Sequence, residues 1–202
     1  MKIIGLAGGS GSGKGEVGKI FADLDIPTVD TDAIYHEITS SDSPCLRALA
    51  AEFGAEVISE SGALDRATLA KIVFVGEGAE HRRSRLNEIT HKFILDEARV
   101  KLGELASRGY SLAAVDAPLL FESGFDAECD VIISVVAPKD ERILRIIQRD
   151  GITKEAAEAR LESQISDEEL ALRSDYVILN DGNLESLQAS VKNTVNKIKF
   201  EL

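Results

Sequence analysis

The octapeptide GGSGSGKG at residues 8–15, directly after the apolar run Ile3, Ile4, Gly5, Leu6, Ala7, restricts the fold of this chain more than any other stretch. Gly8, Gly13 and Lys14 satisfy the spacing G-x-x-x-x-G-K. Small residues let successive backbone N–H groups turn inward around phosphate oxygens, the following helix presents its positive end, and the lysine reaches the β and γ phosphates. Helix-compatible sequence follows in Glu16, Val17, Lys19, Ile20 and Phe21. The expected nucleotide contacts are Gly9, Gly11, Ser12, Gly13, Lys14, Gly15 and Glu16. The residue after the lysine is ordinarily Ser or Thr, whose hydroxyl ligates Mg²⁺; here it is Gly15. Phosphate cradling survives that exchange and direct metal ligation by the loop does not. Either Mg²⁺ is held by water and other carboxylates, or catalysis is weakened.

At 202 residues the chain has room for one domain with a core and an insert or lid, and too little for two independent enzymatic domains. A formal charge of −12 argues against extended binding of a nucleic-acid backbone, which needs a basic footprint. A small phosphorylated ligand held by a few local cations fits that balance. With no basic n-region and no apolar run near the bilayer-spanning length of about 20 residues, the expected location is the cytoplasm, away from any membrane. Cys45 and Cys129 stand alone, and His36, His81 and His91 show no paired metal-ligand spacing.

Strand, loop and helix at residues 2–23, then Ile26 to Val29 as a second strand ending at Asp30, make an α/β chain with a parallel sheet. Asp30, Thr31 and Asp32 fall at that strand's carboxyl end, where open α/β sheets bind ligands. Asp32 reads either as the N-cap of a helix over 33–39 or as a general base toward a substrate hydroxyl, with Asp30 close to a metal or to Asp32. Residues 33–108 are mostly helical, including a long helix from about Glu80 to Ser107 ended by Gly109. That block exceeds what a crossover needs and suits a substrate pocket. Its cluster His81, Arg82, Arg83, Arg85 reads first as a solvated face.

A third strand, Leu112 to Val115, ends in Asp116, the arrangement that holds Mg²⁺ directly or through water beside a phosphate loop. Val131 to Val136 is the fourth strand and Tyr176 to Leu179 the fifth. Between them, Arg142, Arg145 and Arg149 recur at three and four residues on one helical face. Periodicity favours a solvated stripe; beside a phosphate loop, an arginine-rich helical segment also suits a closing lid.

With these residues placed, the chain resembles the dephospho-CoA kinases nearly end to end, through IIGLAGGSGSGKG, VDTDAI, GALDRATLAKIVF, DAPLLFESG, RIIQRDGIT with Arg160 and Gln164, and SDYVILNDG. The resemblance implies an adenylate-kinase-like P-loop NTPase fold: a five-stranded parallel sheet flanked by helices (core 1–32, 109–138, 174–202), a helical substrate-binding insert at about 33–108 and an arginine-rich lid at about 139–173. It implies transfer of the γ-phosphoryl group of ATP, with Mg²⁺, to the ribose 3′-hydroxyl of dephospho-CoA. Gly11 to Lys14 would cradle ATP, Asp32 would be the base, and Lys14, Arg145 and Arg149 would assist transfer. Arg66, His91 and Glu122 would serve dephospho-CoA, Asn180 would lie near the adenine, and Asp116 and Asp30 would face the metal. Four positions depart from the family pattern: Gly15 and Glu16 replace a Ser-Thr pair, Lys92 replaces a proline, and Leu170 stands where a basic residue is frequent. A nucleoside or nucleotide kinase of the same fold, or a nucleotide-binding protein with weakened catalysis, is the alternative.

Overall fold

Parallel strands buried on both faces need continuous apolar runs, and strands β1 (Lys2–Ala7), β3 (Leu112–Asp116) and β4 (Val131–Val136) are such runs. The computed structural model, which describes residues 1–200, joins them with β2 (Thr28–Asp30) and β5 (Tyr176–Leu179) in one sheet ordered β2-β3-β1-β4-β5. Pairing is parallel, with Leu6 opposite both Asp116 and Ile133 and with Val136 opposite Leu179. β1 is central, so the loop after Ala7 opens at the middle of the carboxyl edge. The second strand lies two residues later than the apolar run suggests: Ile26 is buried in the core and Pro27 offers its carbonyl to Ala114 N–H at 2.8 Å.

The chain forms two compact units, Met1–Val29 with Glu104–Leu202, and Asp30–Gly103. The first carries the sheet together with α1 (Lys14–Asp23), α6 (Lys139–Asp150), α7 (Lys154–Glu162), α8 (Asp167–Leu172) and α9 (Leu184–Phe200). Val17, Ile20 and Phe21 of α1 and Leu187, Val191, Val195 and Ile198 of α9 share one core with Ile4, Leu6, Ile133 and Val135 of the sheet. Phe21 is fully enclosed there; burying such a side chain is worth about 2–3 kcal/mol.

The second unit holds α2 (Thr31–Ile38), α3 (Pro44–Phe53), α4 (Arg66–Phe74) and most of α5 (Ala79–Ser107) around Leu46, Leu49, Val57, Leu69 and Val73, with Leu86, Ile89 and Phe93 of α5 packed against them. Ser43 and Asp65 cap α3 and α4 as the sequence implies, through Leu46 N–H at 3.0 Å and Thr68 N–H at 3.0 Å. The arginine cluster is only partly a solvated face. Arg82 donates to the carbonyls of Ile72 (2.6 Å), Val75 (2.7 Å) and Glu77 (2.9 Å), closing the end of α4, and Arg85 pairs with Glu52 and Glu88.

Candidate active site

Gly13 stands at the N-cap of α1 with φ 97° and no side-chain cap, so the first amides of the helix meet no capping side chain and form an anion site. The loop's carbonyls are gripped from its other side. Arg142 Nε donates to Ser10 O (2.9 Å), Arg145 Nη1 to Gly11 O (3.0 Å) and Asn180 Nδ2 to Ser12 O (2.8 Å). Gln164 completes the hold, accepting from Ser10 N–H at 2.9 Å and donating to Ser10 Oγ at 3.0 Å. These contacts explain two of the glycines by close approach as well as by positive φ. A Cβ at Gly11 (φ 76°) would lie 2.6 Å from the Arg142 carbonyl oxygen, and one at Gly13 2.1 Å from Asn180 Nδ2. Nothing lies within 4 Å of a Cβ at Gly15, so the missing hydroxyl is not excluded by space. Ser12 is buried, and its hydroxyl has no hydrogen-bond partner among the described residues.

Lys14 forms an ion pair with Asp116, both side chains mostly buried at 15% and 19% exposure. Asp116 reaches the lysine because β3 ends there, in register with Leu6 of β1. Among the described residues no group of three or more His, Cys, Asp or Glu side chains is arranged to hold a metal. Glu16, expected at the nucleotide, pairs with Lys19 at 2.9 Å.

Along α6 the three spaced arginines differ. Arg142 is buried at 6% exposure and bonds Asp167 Oδ1 at 2.7 Å; Arg145 is half-buried and also pairs with Glu141 at 2.6 Å. Arg149 is exposed and binds Asp150 in a fork at 2.7 and 2.9 Å, while Arg160 pairs with the same carboxylate. The Arg149 fork foremost, then the Arg160 bond, pulls the Asp150 carboxyl down to about 2. Glu122 is exposed in the turn after β3, next to Phe121, whose ring lies 4.1 Å from the Arg173 guanidinium. The sequence reading places Arg142 only on the arginine stripe and Gln164 only in the family resemblance, and Asp167 carries no signal in it.

In the second unit the cap assignment is corrected. Asp30, not Asp32, caps α2: its Oδ1 accepts from Asp32 N–H at 2.8 Å and from Ala33 N–H at 3.1 Å. The helix starts at Thr31 because β2 runs extended through Asp30, which puts Asp30 in the N-cap conformation, φ −95° and ψ 114°. Asp32 is thereby left exposed in the first helical turn. Arg66 turns toward α2, donating to Thr39 Oγ1 at 3.0 Å and bonding His36 Nδ1 at 3.0 Å, with its guanidinium 5.8 Å from the Tyr35 ring. Because a guanidinium only donates, His36 Nδ1 is the acceptor. Burial pushes the Tyr35 phenol above its ordinary value against the opposing pull of Arg66. His91 is half-buried midway along α5.

Comparison with known proteins adds a second, independent line. A family model described as CoaE: Dephospho-CoA kinase matches residues 2–186. The dephospho-CoA kinase of Syntrophotalea carbinolica is 40% identical over 191 residues, covering 95% of this chain and 89% of that protein. Among solved structures, TT1252 from Thermus thermophilus superposes with a TM-score of 0.78 at 29% identity over 97% of both chains. The dephospho-CoA kinase from Campylobacter jejuni does so with a TM-score of 0.73 at 26% identity over the full length of both.

Proposed function

The chain belongs to the dephospho-CoA kinase family, and from that premise we infer that it transfers the γ-phosphoryl group of ATP to the ribose 3′-hydroxyl of dephospho-CoA, giving CoA and ADP. The observation that carries the reading beyond kinship is the phosphate loop itself, with three carbonyls held from behind and the uncapped start of α1 in front. Phosphoryl transfer asks little covalent chemistry of a protein; it asks for positioning and for charge at the transferring group. Lys14 supplies that charge at the loop, and Arg145 and Arg149 on α6 supply more from residues 139–173, which we assign as the lid.

Asp116 with water would hold Mg²⁺ and so supply the ligation that a loop hydroxyl otherwise gives, and the ion would contribute charge neutralisation at the phosphates. Asp30 serves as the cap of α2, and we assign it with Asp116 to the metal side of the site. Asp32, released from capping and exposed, acts as the base that takes the 3′-hydroxyl proton as the oxygen attacks. Residues 33–108 are assigned as the acceptor-binding insert, with Arg66 and His91 among its contacts, and Glu122, in the turn after β3, is assigned to the same substrate. In this reading Asn180 serves the adenine side by fixing Ser12. ATP as donor carries with it a cytoplasmic location.

Purified protein given ATP, Mg²⁺ and dephospho-CoA should release CoA and ADP, read by mass spectrometry, while adenosine and AMP are poor acceptors. Asp32→Asn should lower kcat about a thousandfold with an unchanged thermal midpoint, on the scale of a lost general base. Undiminished turnover in that variant removes the base assignment.

A further inference from the structure

We propose that Arg142, supported by Gln164 and Asp167, is a positioning residue that fixes the peptide orientation of the phosphate loop before nucleotide arrives. The inference rests on the loop being the ATP site. In a trans peptide the carbonyl of one residue and the N–H of the next point in opposite directions. A donor that holds a carbonyl outward therefore turns the following N–H inward. Arg142 Nε on Ser10 O does this for Gly11 N–H, as Asn180 on Ser12 O does for Gly13 N–H. The sense reverses one residue earlier. Gln164 takes Ser10 N–H outward, so the Gly9 carbonyl turns in, where it accepts Ser12 N–H at 3.1 Å.

Ser10 is thus held at its N–H, its carbonyl and its hydroxyl by two side chains 132 and 154 residues away in the sequence. Arg142 organises the grip because its fork meets three partners at once: Nε on Ser10 O, Nη1 on Asp167 Oδ1 at 2.7 Å and Nη2 toward Gln164 Oε1 at 3.5 Å. An ammonium presents a point charge and no fork, so lysine keeps the pairing with Asp167 and loses the shared geometry. The loop is in this way tied to the start of α8, and the amides that meet phosphate are oriented at no cost at the moment of binding.

The test compares wild type, Arg142→Lys and Gln164→Ala as full-length chains. Calorimetry reads the affinities for ATP and for dephospho-CoA, ¹⁵N NMR reads the Gly11 amide, and thermal unfolding reads stability. Arg142→Lys should weaken ATP binding about tenfold, the equivalent of about 1.4 kcal/mol, with dephospho-CoA affinity held within about twofold and the Gly11 amide resonance displaced. Gln164→Ala, half-exposed in the native chain and easily tolerated, should weaken ATP binding about threefold by the same bond accounting. Both variants binding ATP like wild type overturns the proposal, whatever their thermal midpoints; so does a lower midpoint in Arg142→Lys with ATP affinity unchanged. If wild type binds ATP and fails to phosphorylate dephospho-CoA, the assigned reaction falls, and the ratio of ATP affinities still decides the role of Arg142.

Discussion

Gly13 and Gly15 flank the same lysine and have opposite tolerances. At Gly13 a methyl group meets Asn180 Nδ2 at 2.1 Å on a backbone at φ 97°, so Gly13→Ala should abolish measurable ATP binding and lower stability by about 1–3 kcal/mol, checked by calorimetry and urea unfolding. At Gly15 the space is open. Gly15→Ser should fold with an equal or higher thermal midpoint, since glycine is a poor helical residue, and should lower the Mg²⁺ concentration needed for half-maximal rate. An unchanged Mg²⁺ requirement shows that the shell is already complete. The thiols are equally readable: burial, reinforced by Asp126, pushes Cys129 up to about 12, and burial pushes Cys45 up to about 11. Neither should react with iodoacetamide at pH 8 at more than a few per cent of the free-cysteine rate while the chain is folded.

The elements around the site depend on their N-caps, and at α2 the cap is Asp30, two residues before the Asp32 that the sequence offers as cap or base. Ser43, Asp65, Thr153 and Ser166 each carry a helix start where the order of residue types says they should. For α2 two acids compete, and the choice falls to where the strand stops, which spacing alone does not reveal. Asp30→Ala should cost about 1 kcal/mol in unfolding free energy, the usual loss of an N-cap, and should raise the acceptor KM through the first turn that carries Asp32. At the other end of this region Arg82 closes α4 by three carbonyl bonds. The link between α6 and α7 runs through Asp150. Its carboxyl is depressed in the folded chain, so the pairing with Arg149 and Arg160 is complete above about pH 4 and fades only as pH falls toward about 2. A rate profile between pH 5 and 9 should therefore carry no inflection from Asp150, and carboxyl NMR should find its titration at the acid end.

For the molecule as a whole, the loop, the five strands and the helical block between the second and third strands were legible, because each is a local pattern of apolar period, glycine and cap. The grip on the loop was not, because it joins residues 132 to 168 positions apart, and a stripe of arginines reads as solvated until the packing of α6 is known. The same limit hid the turn of Arg66 toward His36 and Thr39. Phe21, in the shared core of sheet, α1 and α9, should cost about 3–5 kcal/mol as Phe21→Ala by chemical denaturation. With a net charge of −12 the chain repels a triphosphate at long range, so added KCl should speed ATP association rather than slow it, as stopped-flow fluorescence can follow. The Lys14–Asp116 pair carries this further. The lysine waits already neutralised, and a nucleotide gains it only by displacing a resident acid. Adenosine, with no anion to offer in trade, leaves that couple undisturbed, so discrimination against uncharged ligands begins before any group on the base or sugar is recognised.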